Sequence, residues 1–335
     1  MTAVFLFIFL MIQMLYLQEN IETNMELTSE NIKKIIENDC QLPPEESIEN
    51  ITPLLIPKLG FPDSDSREGA LEILYTWIME GKYSDTALIQ LGDQFCDLIQ
   101  TNVGTFGEDS TFLRAFSALE ICGILKFDDE CALGNVENRI SFLSPEIFTR
   151  WLEKAMNYYR QEKDYRSFIP EKGWAHSIAH GADLFRDFLK HHLIRKTDVI
   201  QILDLLLEKA FSSNNLLLKG KEDARIATAF YTGLLHQDLL FTDIQSLFNK
   251  FMTSYKNKGW FTWAQEPSAS NGFLNGERFI YDLYFMLKFG ISRKGSRSVP
   301  YYEQQIQFRE ELILLLENFI QILDNGSFYL FPSTH

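Results

Sequence analysis

Two histidines four residues apart, with an aspartate three further on, can do chemistry. The chain carries this pattern at His176, His180 and Asp183, inside the run Gly173-Trp174-Ala175-His176-Ser177-Ile178-Ala179-His180-Gly181-Ala182-Asp183. On a helix, imidazoles at i and i+4 leave one face and can converge on one divalent ion. Asp183 adds an oxygen ligand on the same face, and three protein ligands with one open position are what a catalytic zinc uses. Zinc or manganese is the cofactor this reading asks for, and metal-assisted hydrolysis its reaction. Ser177 follows His176, so the in-motif base of HExxH is absent, and Glu171, Asp187, Glu222 or Asp223 would have to supply it. Without a metal and without a cofactor, the same histidines line a solvent-filled groove that holds a ligand. In a third use they join neighbouring helices, with Asp183 fixing an imidazole tautomer.

The element that must position these groups reads as one helix from Trp174 to His191. At roughly 100° per residue, His176, His180, Asp183, Asp187, Lys190 and His191 share a narrow polar arc. The rest of the circumference is apolar, which places the helix among neighbours. Gly181 lies on that apolar side; glycine costs about 1 kcal/mol relative to alanine inside a helix, so it marks a close helix contact.

Around this helix the pattern is helix after helix, with no extended strand-like alternation. Ser29 is expected to cap the first, Ser84 and Asp85 open another, and Ser144-Pro145-Glu146 is a cap followed by proline at the first helical position. Read in pairs, the first helices are 112–127, 174–191, 223–241 and 276–289, and the second 145–160, 196–211, 242–255 and 305–323. Thr197-Asp198-Val199 and Thr242-Asp243-Ile244 open corresponding members, and Gly173-Trp174 recurs as Gly259-Trp260. The fold expected is all-α, a degenerate HEAT-like α-solenoid of helical hairpins, with a compact orthogonal helical bundle as the alternative. Overlaying the first helices aligns Arg114, His176, Arg225 and Arg278, a ladder of cationic or ionisable groups whose guanidinium forks suit carboxylate or phosphate.

The net charge of −15 argues against a general affinity for nucleic-acid backbones. Cys40, Cys96, Cys122 and Cys131 show no CxxC and no zinc-ribbon spacing, and read as buried thiols. Phosphate-binding glycine loops and GxSxG are absent. Residues 1–24 form an apolar leader, either a signal or anchor or an over-extended start, before a single helical-repeat domain at 25–335. The apolar stretch 3–17 is shorter than the roughly 20 residues that span a bilayer comfortably. The chain is read as cytoplasmic, with anchoring through residues 3–17 as the alternative; a membrane is a partner only in that case. Arg293, Lys294 and Arg297 make 292–298 a basic loop, and Trp260 and Trp263 read as packing residues.

The run 173–183, with Glu162-Lys163-Asp164-Tyr165-Arg166 and Pro170-Glu171-Lys172 before it, resembles a bacterial family known as domain of unknown function 2785. Phe112-Leu113-Arg114-Ala115-Phe116-Ser117-Ala118-Leu119 resembles that family's second motif, and Glu222-Asp223-Ala224-Arg225-Ile226-Ala227 a weaker third. The likeness extends from about residue 30 to 323. Ser167 stands where the family usually has glycine after the arginine. The resemblance implies a helical fold and a functional surface, not a reaction. The ligand-binding set expected from motifs and ladder together is Arg114, Arg166, Trp174, His176, His180, Asp183, Arg225 and Arg278. Two function classes follow: a helical-repeat module taking a small anionic molecule or a peptide or protein segment, and a metal-dependent hydrolase built on His176, His180 and Asp183.

Overall fold

The computed structural model describes residues 27–212, 216–258, 265, 267–291 and 306–324. The leader, Trp260, Trp263 and the basic loop at 292–298 lie outside the described residues. Capping explains most helix starts. Thr28 accepts from Asn31 N–H and opens α1 (Ser29–Glu37), one residue before the expected cap. Ser47 opens α2 (Ile48–Leu55), which runs into a 3-10 turn, and Asp63 opens α3 (Ser64–Met79). Ser84 opens α4 (Asp85–Leu98), and α5 (Ser110–Ala132) follows. Ser144 then caps α6 (Pro145–Gln161), with Pro145 at its first position as the sequence requires.

Next comes a short antiparallel pair, β1 (Phe168–Ile169) and β2 (Gly173–Trp174). This pair corrects the expected helix start: Trp174 belongs to β2, and α7 spans Ser177–Lys190. Among the described residues the remaining helices are α8 (Lys196–Ala210), α9 (Glu222–Leu234), α10 (Phe241–Lys258), α11 (Pro267–Phe289) and α12 (Arg309–Asp324). The protein is therefore all-α apart from one tiny sheet. Helices α3, α5, α7, α9 and α11 pack on one another in chain order, and α4, α6, α8, α10 and α12 form a second row in the same order. Both rows are sewn by buried aliphatic and aromatic side chains, with Trp77, Trp151, Tyr158, Tyr159 and Phe185 among the largest.

Helix α7 sits in the middle of its row, between α5 and α9. Gly181 is what lets it approach α6. A Cβ built there would lie 2.4 Å from Tyr159 Cδ2. The Tyr158 and Tyr159 hydroxyls donate to the carbonyls of Ser177 and Ile178, fixing the first turn of α7 against α6. The four cysteines are buried and unpaired. Among the described residues, no helix is long and apolar enough to cross a membrane.

Candidate functional site

Helix α7 carries histidines at both ends, and the two clusters differ. At the N-terminal end, His176 is the residue before the helix, held in the left-handed region at φ 50°. That conformation costs an L-residue roughly 1–2 kcal/mol, though histidine tolerates it better than most. The pairing of β2 with β1 sets up this turn, and it brings the His176 ring 4.3 Å from exposed Trp174 and 5.7 Å from His180. Across the gap, α9 begins at Glu222, whose Oε1 lies 3.7 Å from His176 Nε2. Glu222 is buried, and its Oε2 accepts from Gly220 N–H at 2.7 Å. A side chain at 220 could not be accommodated without movement: a Cβ would sit 2.7 Å from His176 Nε2 and 2.8 Å from Glu222 Oε1.

Several polar atoms here are buried and have no hydrogen-bond partner: His176 Nε2, His180 Nδ1, Glu222 Oε1 and, further in, Arg67 Nε. Buried groups of this kind are rare, and each costs about 1–3 kcal/mol. Arg67 is fully buried, donating to the carbonyls of Phe61 and Lys172 at 2.6 and 2.7 Å. Its guanidinium lies 4.9 Å from the Phe116 ring, which meets His180 edge-on at 5.3 Å. Burial pulls Arg67 below its ordinary pKa. Burial also lowers His176, helped by Arg225 and opposed by Glu222 and Asp183. His180 is pushed down to about 3 by burial, with His176 and Arg225 adding to it. Both imidazoles are neutral at pH 7. Neither N-cap side chain, His176 on α7 or Lys221 on α9, bonds its own helix, so two uncapped N-termini face this patch.

The expected third metal ligand does not join the histidines. Asp183 gives one oxygen to Arg186 at 2.8 Å and the other to Arg225 at 2.7 Å. The arginine ladder is also corrected. Arg114 is completely buried and clasps Glu162 with two bonds, of 2.6 and 3.1 Å, so no ligand reaches it. Arg278 binds Asp223 at 2.6 Å, so the Asp183–Arg225 and Asp223–Arg278 pairs each tie one helix of the row to the next. Arg166 folds onto Asp164 at 2.6 Å. Only Arg225, half-exposed, keeps a cationic face beside the histidines.

Of the four carboxylates expected as a replacement base, Glu222 lies beside His176. Arg67 and Gly220 carry no signal in the sequence reading, and Phe116 appears there only inside the second motif; all three lie far from the histidine motif in sequence.

At the other end of α7, every ring nitrogen of His191 and His192 has a partner. His191 Nε2 lies 3.1 Å from Asp128 Oδ2, and its Nδ1 accepts from Leu193 N–H at 3.3 Å. His192 Nδ1 meets Asp129 Oδ1 at 3.0 Å, while its Nε2 faces Ser141 Oγ at 3.4 Å. The two rings stack at 4.5 Å. Among the described residues, one donor atom each from Asp128, His191 and His192 lies within 4.8 Å of the other two. The set His176, His180 and Asp183 makes no such group.

The model of a family described as "Protein of unknown function (DUF2785)" matches residues 99–285, a stretch that contains α5 to α10 and both ends of α7. The chain belongs to that family. The match is narrower than the resemblance read from the motifs, and it excludes α1 to α4. No curated protein and no solved structure matches the chain. The family's glycine after the arginine motif is not required by the backbone here, since Ser167 is not among the residues with positive φ.

Proposed function

We propose that this family member is a helical-repeat binding module whose ligand docks where the N-terminal ends of α7 and α9 meet. One observation carries the reading: His176 Nε2, His180 Nδ1 and Glu222 Oε1 are buried there without partners, beside exposed Trp174. A fold that leaves three polar atoms unsatisfied in one place gives up stability that a bound ligand restores. The uncapped N-termini and half-exposed Arg225 favour an anionic group. Buried Glu222 asks in addition for an N–H or O–H donor. The ligand class is thus a small anion bearing a donor, such as a hydroxy or amino acid, or the end of a peptide. The hydrolase reading at His176, His180 and Asp183 is not favoured, because arginines hold both oxygens of Asp183.

The test is a thermal-shift screen of phosphate, glycolate, single amino acids and acidic tripeptides against the full chain. At least one should raise the unfolding midpoint of the parent, as binding to the native state must. That shift should vanish in the His176→Ala, His180→Ala double variant and shrink in Arg225→Ala. An equal shift in the double variant, or none with any compound, removes this reading.

A further inference from the structure

We infer that Asp128, His191 and His192, at the C-terminal end of α7, form a binding site for a divalent first-row metal ion of the zinc type, with Ser141 as an adjacent oxygen donor. Three separate elements supply the donors: α5 gives Asp128, the turn after α7 gives both histidines, and the loop before α6 gives Ser141. Asp128 Oδ2 is 3.1 Å from His191 Nε2 and 3.0 Å from Ser141 Oγ, which is 3.4 Å from His192 Nε2. A tetrahedral zinc with bonds of about 2.0–2.1 Å sets its ligand atoms roughly 3.3 Å apart. The Asp128–His191 separation of 3.1 Å is close to that value, and the three ligand atoms all lie within 4.8 Å of one another.

The surrounding bonds leave the right atoms for the ion. Asp128 Oδ1 accepts from Phe142 N–H at 2.6 Å and Leu143 N–H at 3.0 Å, so Oδ2 is the ligand oxygen. His192 Nδ1 is held by Asp129, so Nε2 is its ligand nitrogen, in the carboxylate–histidine–metal arrangement that orients such rings. In the metal-free arrangement the His191 Nε2 proton points at Asp128. Binding replaces it with the ion and moves the ring proton to Nδ1. The 3.3 Å contact from Leu193 N–H, at the long end of the hydrogen-bond range, opens as this happens.

A cavity of about 460 Å³ adjoins the two histidines. His191 and His192 line it together with Thr228, Thr232 and His236, and His236 Nδ1 is buried without a partner. Helices α7 and α9 both end at this cavity, and the partial negative charge of helix C-termini favours a cation there. An ion held by three protein atoms would keep a position open towards the cavity for water or a small ligand.

Titration of the full chain with zinc chloride by calorimetry tests this, with the absorption spectrum of the cobalt-loaded protein as a second readout. One equivalent should bind, with the intense visible bands of tetrahedral cobalt. His192→Ala should abolish binding, and Asp129→Asn, which frees the His192 ring, should weaken it roughly 10–100-fold. The His176→Ala, His180→Ala variant should bind like the parent. Circular dichroism of each variant before titration separates loss of the site from loss of the fold. Absence of binding by the parent, undiminished binding by a folded His192→Ala variant, or loss confined to the His176, His180 variant would each overturn the assignment.

Discussion

At its first turn α7 presents two imidazoles with one partnerless nitrogen each, His176 Nε2 and His180 Nδ1, whereas at its last turn every nitrogen of His191 and His192 is engaged. The residue type and the helix are the same, and the opposite bonding comes from what faces each end. The first end meets another helix start, where Gly220 leaves room and Glu222 stops 3.7 Å short of His176. The last end meets two adjacent aspartates of α5 and a loop whose amides and hydroxyl complete the network. Satisfied polar groups add to stability, while unsatisfied ones subtract from it and persist only where something else retains them. The difference separates an end with unpaired imidazole nitrogens, where the ligand is proposed to dock, from an end whose two histidines are tied into the fold.

The largest test of this contrast is Asp128→Ala. The substitution strips four donors of their acceptor and leaves His191 buried, so urea unfolding should show a loss of about 3–5 kcal/mol. A loss below about 1 kcal/mol would mean that the network is not formed and that the two ends are alike. Burial alone would raise the Asp128 carboxyl, but hydrogen bonds from His191, Phe142 and Leu143 hold it below the usual range. Its contribution is therefore present above the ordinary aspartate pKa and is lost as pH falls through the lowered one.

Next in size is Gly181→Leu, in the stretch between the two ends. The Tyr159 ring leaves no room for a side chain, so overpacking should cost about 1–3 kcal/mol by thermal or urea unfolding. An unchanged midpoint would show that α7 is not clamped against α6 and that neither end is positioned by this contact.

His180 is expected to show its effect in the pH dependence of stability. Its pKa is pushed down to about 3 in the fold, below the roughly 6.5 of an unfolded chain, so the unfolded state binds more protons between those values. Stability should fall as pH drops from about 6.5 towards 3. His180→Ala should flatten that part of the curve, measured as unfolding free energy against pH. A variant with the same slope as the parent would place the imidazole in solvent.

The smallest change should be a gain. His176→Gly relieves the left-handed backbone and removes one unpaired nitrogen, so the variant should match the parent or exceed it by about 1 kcal/mol. It should also lose whatever compound the screen identifies. A clear destabilisation would make His176 a packing residue and erase the contrast between the ends.

The sequence alone determined the helical class, most helix starts and the face of α7 that is buried, because caps, prolines and apolar periodicity act over a few residues. Ser84, Ser144 and Pro145 opened the expected helices, and Gly181 marked a real close contact. It also singled out His176 and His180, whose spacing is local. Tertiary structure decided the partners. Asp183 looked like a ligand on the helical wheel, but arginines three residues and one helix away neutralise it. Arg114 looked like a rung of an exposed ladder, but Glu162 lies opposite and buries it. Glu222, Arg67 and Gly220 joined His176 and His180 from other helices and loops, and Asp128 met His191 across 63 residues. Bonding partners are set by which helices pack side by side, and that arrangement depends on contacts between residues far apart in the chain, which local spacing does not encode.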